Sequence, residues 1–142
     1  MYKDILVPVD MSDEKAWRKP LETAIELVRL GGGRLHLMTV VPKLNSPLVG
    51  SYFPENFEQQ MHERANQELH EFASKHVPEG LPLQTIVAAG TIYEEVIRTA
   101  EQVGCDLVVM GRSGSERASF LLGTNVDRVI RHATTSVLVA HD

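Results

Sequence analysis

Five short apolar segments alternate with four amphipathic segments along the chain. The apolar segments have the length and composition of β-strands, and they span residues 5–9, 34–41, 83–89, 106–110 and 136–140. The first, fourth and fifth contain almost no polar alternation, which is typical of parallel strands that are covered on both faces. The pattern therefore predicts a buried parallel sheet.

The four intervening segments repeat their apolar residues at helical spacing. The first carries a stripe with the spacing i, i+3, i+4, i+7, formed by Leu21, Ala24, Ile25 and Val28. Pro20 suits either the first turn of this helix or a kink after a lead-in from Ser12, and the glycines at 31–33 end the helix. The second helix is predicted over residues 56–76, with core positions at Phe57, Met61, Leu69, Phe72 and Ala73. The third follows a capping box at 91–94, and the fourth carries an apolar stripe over 126–133.

Strictly alternating strands and helices predict an α/β fold, with an open, mostly parallel sheet and helices on both faces. The chain has 142 residues and no interior linker, so a single domain over residues 1–142 is expected. The one long irregular stretch, residues 42–54, contains three prolines and is predicted to be a loop. Its apolar residues either cover a ligand or partner or pack onto the core; they are Leu48, Tyr52 and Phe53.

Composition narrows the range of functions. The formal net charge of −5 argues against a nucleic-acid-binding surface, which would be basic. Cys105 is the only cysteine, so no internal disulfide forms, and inert packing is its expected role. The first apolar run is shorter than the roughly 7–15 residues of a signal sequence. No segment approaches the ~20 apolar residues of a membrane span. A cytoplasmic protein without a membrane partner is therefore expected.

Candidate chemistry concentrates where strands end, because open parallel sheets bind ligands beyond the carboxyl ends of their strands. Pro8, Val9 and Asp10 follow the first strand, and Val40 closes the second. The segment 110–125 after the fourth strand is rich in Gly and Ser and leads directly into the last helix. Backbone N–H groups of such a loop, together with a helix N-terminus, hold phosphate well. The alternative is a flexible connection without a ligand.

Asp10 has two interpretations. It contacts a ligand, with or without a Mg²⁺ ion that phosphates carry, or it caps the following helix together with Ser12. The six histidines lack the spacing of a metal site, and no Walker A lysine, nucleophile elbow or nucleophile–base pair is present. No protein-built metal site and no efficient catalysis are expected, although a slow hydrolase stays open.

Several motifs, taken in order, resemble the universal stress protein family. These are ILVPVD at residues 5–10, LMTVVP at 37–42, DLVVMG at 106–111 and RHATTSVLVA at 131–140. Gly111-x2-Gly114 followed by Gly123-Thr124 is similar to the nucleotide motif of the family. The resemblance implies strand order 3-2-1-4-5, a Rossmann-like fold of the adenine nucleotide alpha hydrolase-like type, and a nucleotide lying across strands 1 and 4.

The resemblance also assigns roles by position. Pro8, Val9 and Asp10 would border the adenosine, and Val40 would line the adenine pocket. The ribose and phosphates would be wrapped by Met110, Gly111, Ser113 and Gly114, and phosphate oxygens would be held by Gly123, Thr124 and Asn125. Only eight residues separate Gly114 from Gly123, where the family motif has nine, and Ser113 stands where the ATP-binding branch usually has His. Both ATP and AMP therefore stay open as ligands.

The leading functional hypothesis is a regulatory or stress-response protein that binds ATP or AMP. Two alternatives stay open: a slow Mg²⁺-dependent ATP hydrolase that uses Asp10, and a dimeric interaction module without a nucleotide. The last strand is expected to be a sheet edge, and an unpaired edge favours pairing with a second copy. A homodimer through residues 136–140 is the expected assembly, as the resemblance also implies.

Overall fold

The computed structural model describes residues 2–43, 56–112 and 124–142, and strands and helices alternate along these ranges. The strands are β1 (Asp4–Pro8), β2 (Arg34–Val41), β3 (Leu83–Ala89), β4 (Leu107–Met110) and β5 (Ser136–Val139). The helices are α1 (Glu14–Gly31), α2 (Phe57–His76), α3 (Ile92–Val103) and α4 (Thr124–His132). The α/β prediction is confirmed. Leu48, Tyr52 and Phe53 lie outside the described residues.

The five strands form one sheet in the order β3-β2-β1-β4-β5, as predicted, and every pairing is parallel. Three strands differ by one residue from their predicted bounds at one or both ends. Val9 donates one hydrogen bond to Met38 at 2.8 Å, but the chain leaves the sheet there and β1 ends at Pro8. Asp106 stands outside β4 because its carboxylate accepts hydrogen bonds from the backbone N–H groups of Lys3 and Asp4.

Alternate residues of the strands face two separate apolar layers, as a parallel sheet requires. Ile5 and Val7 face α1 and α2, whereas Leu6 faces α3 and α4 together with Val108. The layer under α3 and α4 also contains Cys105, which is buried as expected. Helices therefore cover both faces, and β1 lies at the centre of the molecule.

Helix ends follow the sequence signals in part. Gly32 adopts a left-handed conformation with φ of 68° and donates to the carbonyl of Val28 at 2.9 Å, so the glycines end α1 as predicted. Thr91 takes the N-cap position of α3, but its side chain makes no capping hydrogen bond, so the predicted capping box does not form. In α2, Phe57 and Met61 are only half-buried, and Ala65 takes a core position that the sequence analysis missed.

Pro20 is the seventh residue of α1, which begins at Glu14. The first-turn interpretation of this proline is therefore wrong, and Pro20 lies inside the helix; the kink in the alternative interpretation stays a prediction. None of the helices in the described ranges is long and apolar enough to cross a membrane.

Candidate functional site

A cavity of about 420 Å³ opens at the carboxyl ends of the strands. It lies at the end of β1, between β2 and β4. At this point the order in which the strands follow one another along the chain changes direction across the sheet. Its lining comes from three strands, three helices and the turns after β1 and β4: Pro8, Val9, Asp10, Asp13, Ala16, Trp17, Thr39, Val40, Ile92, Met110, Gly111, Asn125 and Val126.

Seven of the predicted site residues are brought together in this cavity. They are Pro8, Val9, Asp10, Val40, Met110, Gly111 and Asn125. Ser113, Gly114 and Gly123 lie outside the described residues. Thr124 is the first residue of α4, so Asn125 lies in the first helical turn. The fold therefore assembles the part of the predicted site that β1, β2, β4 and α4 carry.

Six lining residues were not predicted as site residues: Asp13, Ala16, Trp17, Thr39, Ile92 and Val126. Three of them lie at the start of α1, and one is the first residue of α3. The three residues at the start of α1 could have been predicted as site residues from the sequence. The predicted α1 begins just after β1, so its first turns lie beside the carboxyl end of that strand. Ile92 gave no signal, because its position depends on the packing of α3.

The carboxylate of Asp10 is held by its own turn. Its Oδ1 atom accepts hydrogen bonds from the Ser12 backbone N–H at 3.1 Å and from the Ser12 hydroxyl at 2.6 Å. The N-cap of α1 is Asp13, so the interpretation of Asp10 and Ser12 as a shared cap is wrong, although the two side chains do bond each other. Asp10 is exposed and lines the cavity, and its hydrogen bonds with Ser12 hold the turn between them.

The lining of the cavity is uneven in charge. Asp10 and Asp13 come from the β1–α1 turn, and no lining residue in the described ranges is Lys or Arg. The first turn of α4 contributes Asn125 and Val126, and a helix N-terminus carries a partial positive charge. The rest of the lining is largely apolar, including Val9, Val40 and Met110. Such a lining favours a ligand that combines hydroxyl groups, an apolar surface and an anion.

Trp17 forms part of the wall and is the single tryptophan of the chain. It is 8% exposed and packs against Phe72 and His76 of α2, with ring centroids 4.7 Å and 4.6 Å away. Its indole Nε1 is buried and has no hydrogen-bond partner in the described part of the chain. Because the indole touches the cavity, its fluorescence is a direct probe of this wall.

Position 111 requires a glycine because the backbone of α1 lies too close for a side chain. A Cβ atom at this position would lie 2.1 Å from the carbonyl oxygen of Ala16 and 2.8 Å from Cγ of Pro20. Its φ is not positive, so the close approach, and not a left-handed conformation, requires glycine here. The end of β4 therefore packs directly on the backbone of α1.

Metal ligands do not converge within residues 2–43, 56–112 and 124–142: no three His, Cys, Asp or Glu side chains there form a group that could hold an ion. Cys105 is buried, and its desolvation raises the pKa of the thiol to about 12. His36, the buried histidine of β2, lies at the amino end of the strands, opposite the cavity.

Comparison with known proteins gives a consistent result. The universal stress protein family matches residues 1–141. Universal stress protein G of Escherichia coli O157:H7 is 31% identical over 141 residues, which cover 98% of this chain and 99% of that protein. The solved structure of Methanocaldococcus jannaschii MJ0577 has a TM-score of 0.79 at 25% identity and covers 99% of this chain and 96% of its own.

Two further solved structures share the fold. A universal stress protein in complex with cAMP has a TM-score of 0.62 at 20% identity, covering 99% of this chain and 97% of its own. The universal stress protein from Archaeoglobus fulgidus in complex with dAMP has a TM-score of 0.60 at 16% identity, with 98% of both chains covered. At these identities the likeness establishes the architecture.

Proposed function

This chain belongs to the universal stress protein family, and from that premise we propose that its cavity binds an adenine nucleotide, ATP or AMP, in a regulatory or stress-response role. Binding is the proposed activity, without efficient catalysis. One observation carries the proposal: one cavity is lined by a largely apolar wall, by Asp10 and Asp13 of the β1–α1 turn, and by the first turn of α4.

The apolar part of the lining suits a purine base. Val40 is half-buried at the carboxyl end of β2, and Ile92 is 44% exposed although it lines the cavity. A flat base laid against these side chains would remove their apolar surface from water, which is favourable by about 25 cal/mol per Å². The proposal therefore assigns the adenine to this part of the wall.

The charged and polar groups of the lining set the direction of the ligand. Carboxylates accept hydrogen bonds from hydroxyl groups and repel phosphates, so the ribose belongs near Asp10 and Asp13. Phosphate belongs at the N-terminus of α4, where Asn125 lies in the first turn. The contacts predicted at Ser113, Gly114, Gly123 and Thr124 stay predictions.

Two structural neighbours support an adenine nucleotide, since one was solved with cAMP and the other with dAMP. Each of these ligands combines an adenine, a sugar and one phosphate. AMP would place one phosphate at α4, whereas ATP would add two further phosphates and would bring Mg²⁺ with them. ATP and AMP are therefore the two nucleotides to compare.

Calorimetric titration with ATP, AMP and adenosine, with and without Mg²⁺, tests the proposal. Asn125→Asp places a negative charge at the phosphate end, where it also favours helix folding. We expect this variant to weaken ATP and AMP binding and to leave adenosine binding nearly unchanged. Asn66→Asp makes the same chemical change on the exposed side of α2 and is the control. Absence of heat for all three ligands with the wild-type protein would reject the function.

Slow ATP hydrolysis stays a second hypothesis, because Asp10 lies in the cavity. Phosphate release should be measured for the wild-type protein and for Asp10→Asn. If the wild-type protein releases phosphate no faster than buffer alone, the hydrolase hypothesis is rejected.

A homodimer through β5 and a cytoplasmic location both stay predictions. Among the described strands β5 pairs only with β4, and its apolar residues Val137, Leu138 and Val139 are half-buried. A lysine on this edge should oppose pairing with a second copy. Sedimentation velocity should therefore show a dimer for the wild-type protein and a monomer for Val139→Lys. Leu30→Lys, on the exposed side of α1, should stay dimeric. A wild-type monomer would reject the dimer.

A further inference from the structure

Pro20 interrupts the hydrogen bonding of α1 at a defined atom. Proline has no N–H group, so the carbonyl of Ala16, four residues earlier, loses its normal helical donor. The proline ring also crowds that same carbonyl. Proline is the least favourable residue in a helix interior, and Pro20 is buried there, six residues after the helix begins at Glu14.

Gly111 meets the disrupted turn from the other side. The two groups nearest to a Cβ at this position would be the Ala16 carbonyl, at 2.1 Å from its oxygen, and Cγ of Pro20, at 2.8 Å. The backbone of Gly111 therefore packs on the carbonyl that Pro20 deprives of its donor, and a Cα–H group next to a carbonyl oxygen is weakly favourable. Ala16, Pro20 and Gly111 form one contact, which we call the helix–strand junction.

This junction connects two walls of the cavity. The part of α1 that precedes Pro20 supplies Ala16 and Trp17, with Asp13 at its N-cap, and the end of β4 supplies Met110 and Gly111. The direction in which the first turns of α1 point decides how far these two walls stand apart. A helix with an unbroken bond from residue 20 to Ala16 would draw that carbonyl back toward its own axis and away from Gly111.

We propose that Pro20 is a positioning residue of the cavity: it holds the first turns of α1 against Gly111, so that Asp13, Ala16 and Trp17 line the ligand site. The proposal rests on the proposed nucleotide binding for its affinity readout, whereas the junction itself is tested without any ligand. If Pro20 had only a structural role, its replacement would change the stability of the protein but not the position of the cavity wall formed by Asp13, Ala16 and Trp17.

Pro20→Ala is the central variant, because alanine restores the N–H group and favours the helix. We expect an equal or higher melting temperature together with affinity for ATP and AMP lower by about tenfold or more. The emission spectrum of Trp17 without ligand should shift, since that side chain lies on the moved wall. Unchanged emission together with nucleotide affinity within about twofold of the wild-type value would overturn the proposal.

Gly111→Ala tests the junction from the other side. Its Cβ would collide with Ala16 and Pro20, so its melting temperature should fall strongly. In the Pro20→Ala protein the Ala16 carbonyl has moved away from Gly111. Gly111→Ala should therefore lower the melting temperature clearly less in that protein than in the wild type, and a double-mutant cycle measures this difference. Gly33→Ala is the control, because its Cβ would lie 1.8 Å from the carbonyl oxygen of Lys3, away from the helix–strand junction. The effects of Gly33→Ala and Pro20→Ala on stability should be additive.

Additive effects of Pro20→Ala and Gly111→Ala would also overturn the proposal. If Gly111→Ala does not fold, the emission of Trp17 and the affinity of the Pro20→Ala protein decide the matter. If the wild-type protein binds no nucleotide, the proposed function fails by itself, and the Trp17 emission with the double-mutant cycle still decides whether Pro20 positions the wall.

Discussion

The imidazole Nε2 of His36 lies 2.9 Å from Oδ1 of Asp4, across the pairing of β2 with β1. The other ring nitrogen, Nδ1, lies 2.6 Å from Oε1 of Gln84 on β3. His36 is only 3% exposed, so these two partners satisfy a buried polar ring at the amino end of three neighbouring strands. This polar cluster is separated from the cavity by the full length of the strands.

Asp4→Ala should lower stability without changing the site. It removes the acceptor of a buried ring nitrogen, and an unsatisfied buried group costs about 1–3 kcal/mol. Urea denaturation should show that loss, while nucleotide affinity should match that of the wild-type protein. Glu101→Ala, an exposed carboxylate on α3, is the control and should change stability by no more than about 0.5 kcal/mol. Equal stability of the two variants would contradict the prediction.

Ile92→Ser should weaken nucleotide binding and leave stability nearly unchanged. The side chain is 44% exposed, so its loss removes little core packing, but it removes apolar surface from the proposed base site. A loss of about fivefold to thirtyfold in affinity is expected, from about 1–2 kcal/mol of lost burial. Ile130→Ser on α4 is the matched control, because Ile130 is 52% exposed and does not line the cavity. Equal affinities of the two variants would place the base elsewhere.

Cys105 should resist thiol reagents in the folded protein. Desolvation by burial is the main cause that raises its pKa from 9.0 to about 12, and the nearby carboxylates of Asp4 and Asp106 add to it. At pH 8 the folded protein should therefore hold about a thousandth of the thiolate that a free cysteine holds. Labelling with a chromogenic disulfide should be very slow until denaturant is added.

The same thiol makes stability depend on pH on the alkaline side. Because the folded pKa lies above the unfolded one, the contribution is fully present below pH 9 and is lost as the pH rises from 9 toward about 12. Cys105→Ala should therefore show a weaker loss of stability over that interval. Equal slopes for the two proteins would contradict the assignment.

Glu14 and Arg18 form an exposed ion pair one turn apart at the start of α1. The hydrogen bond from Arg18 lowers the pKa of the Glu14 carboxyl below its ordinary value of 4.5, and the charge of Arg18 adds to the effect. The pair therefore contributes above pH 4.5, and its contribution is lost as the pH falls through the lowered pKa. Carboxyl NMR titration should show the Glu14 pKa returning toward 4.5 in Arg18→Ala. An unchanged pKa would contradict the pairing.

The parallel sheet and the position of the cavity were predictable from the residues alone, because both depend on patterns within the chain. Continuous apolar runs around Leu6 and Val108 marked the central strands, and the ends of parallel strands located Asp10 and Met110. The universal stress protein resemblance added the strand order, which the alternation of segments alone did not determine.

Other features depend on how separate parts of the chain pack together. The contact of Gly111 with Ala16 joins residues that are far apart in sequence, so no local pattern predicts it. Ile92 reaches the cavity only through the placement of α3 on the sheet. Thr91 has the sequence of a capping box, but its side chain does not make the bond, since a cap motif describes a preference and not a contact.

The central position of β1 has a consequence for how the site behaves in time. The strand is paired on both edges by β2 and β4, and Ile5, Leu6 and Val7 are inaccessible to solvent. Its amide hydrogens should exchange with deuterium only through global unfolding, whereas those of β3 and β5 at the sheet edges should exchange through smaller openings. The floor of the cavity at Pro8 and Val9 thus continues directly from the most rigid strand, and a ligand would find that floor already ordered before it arrives.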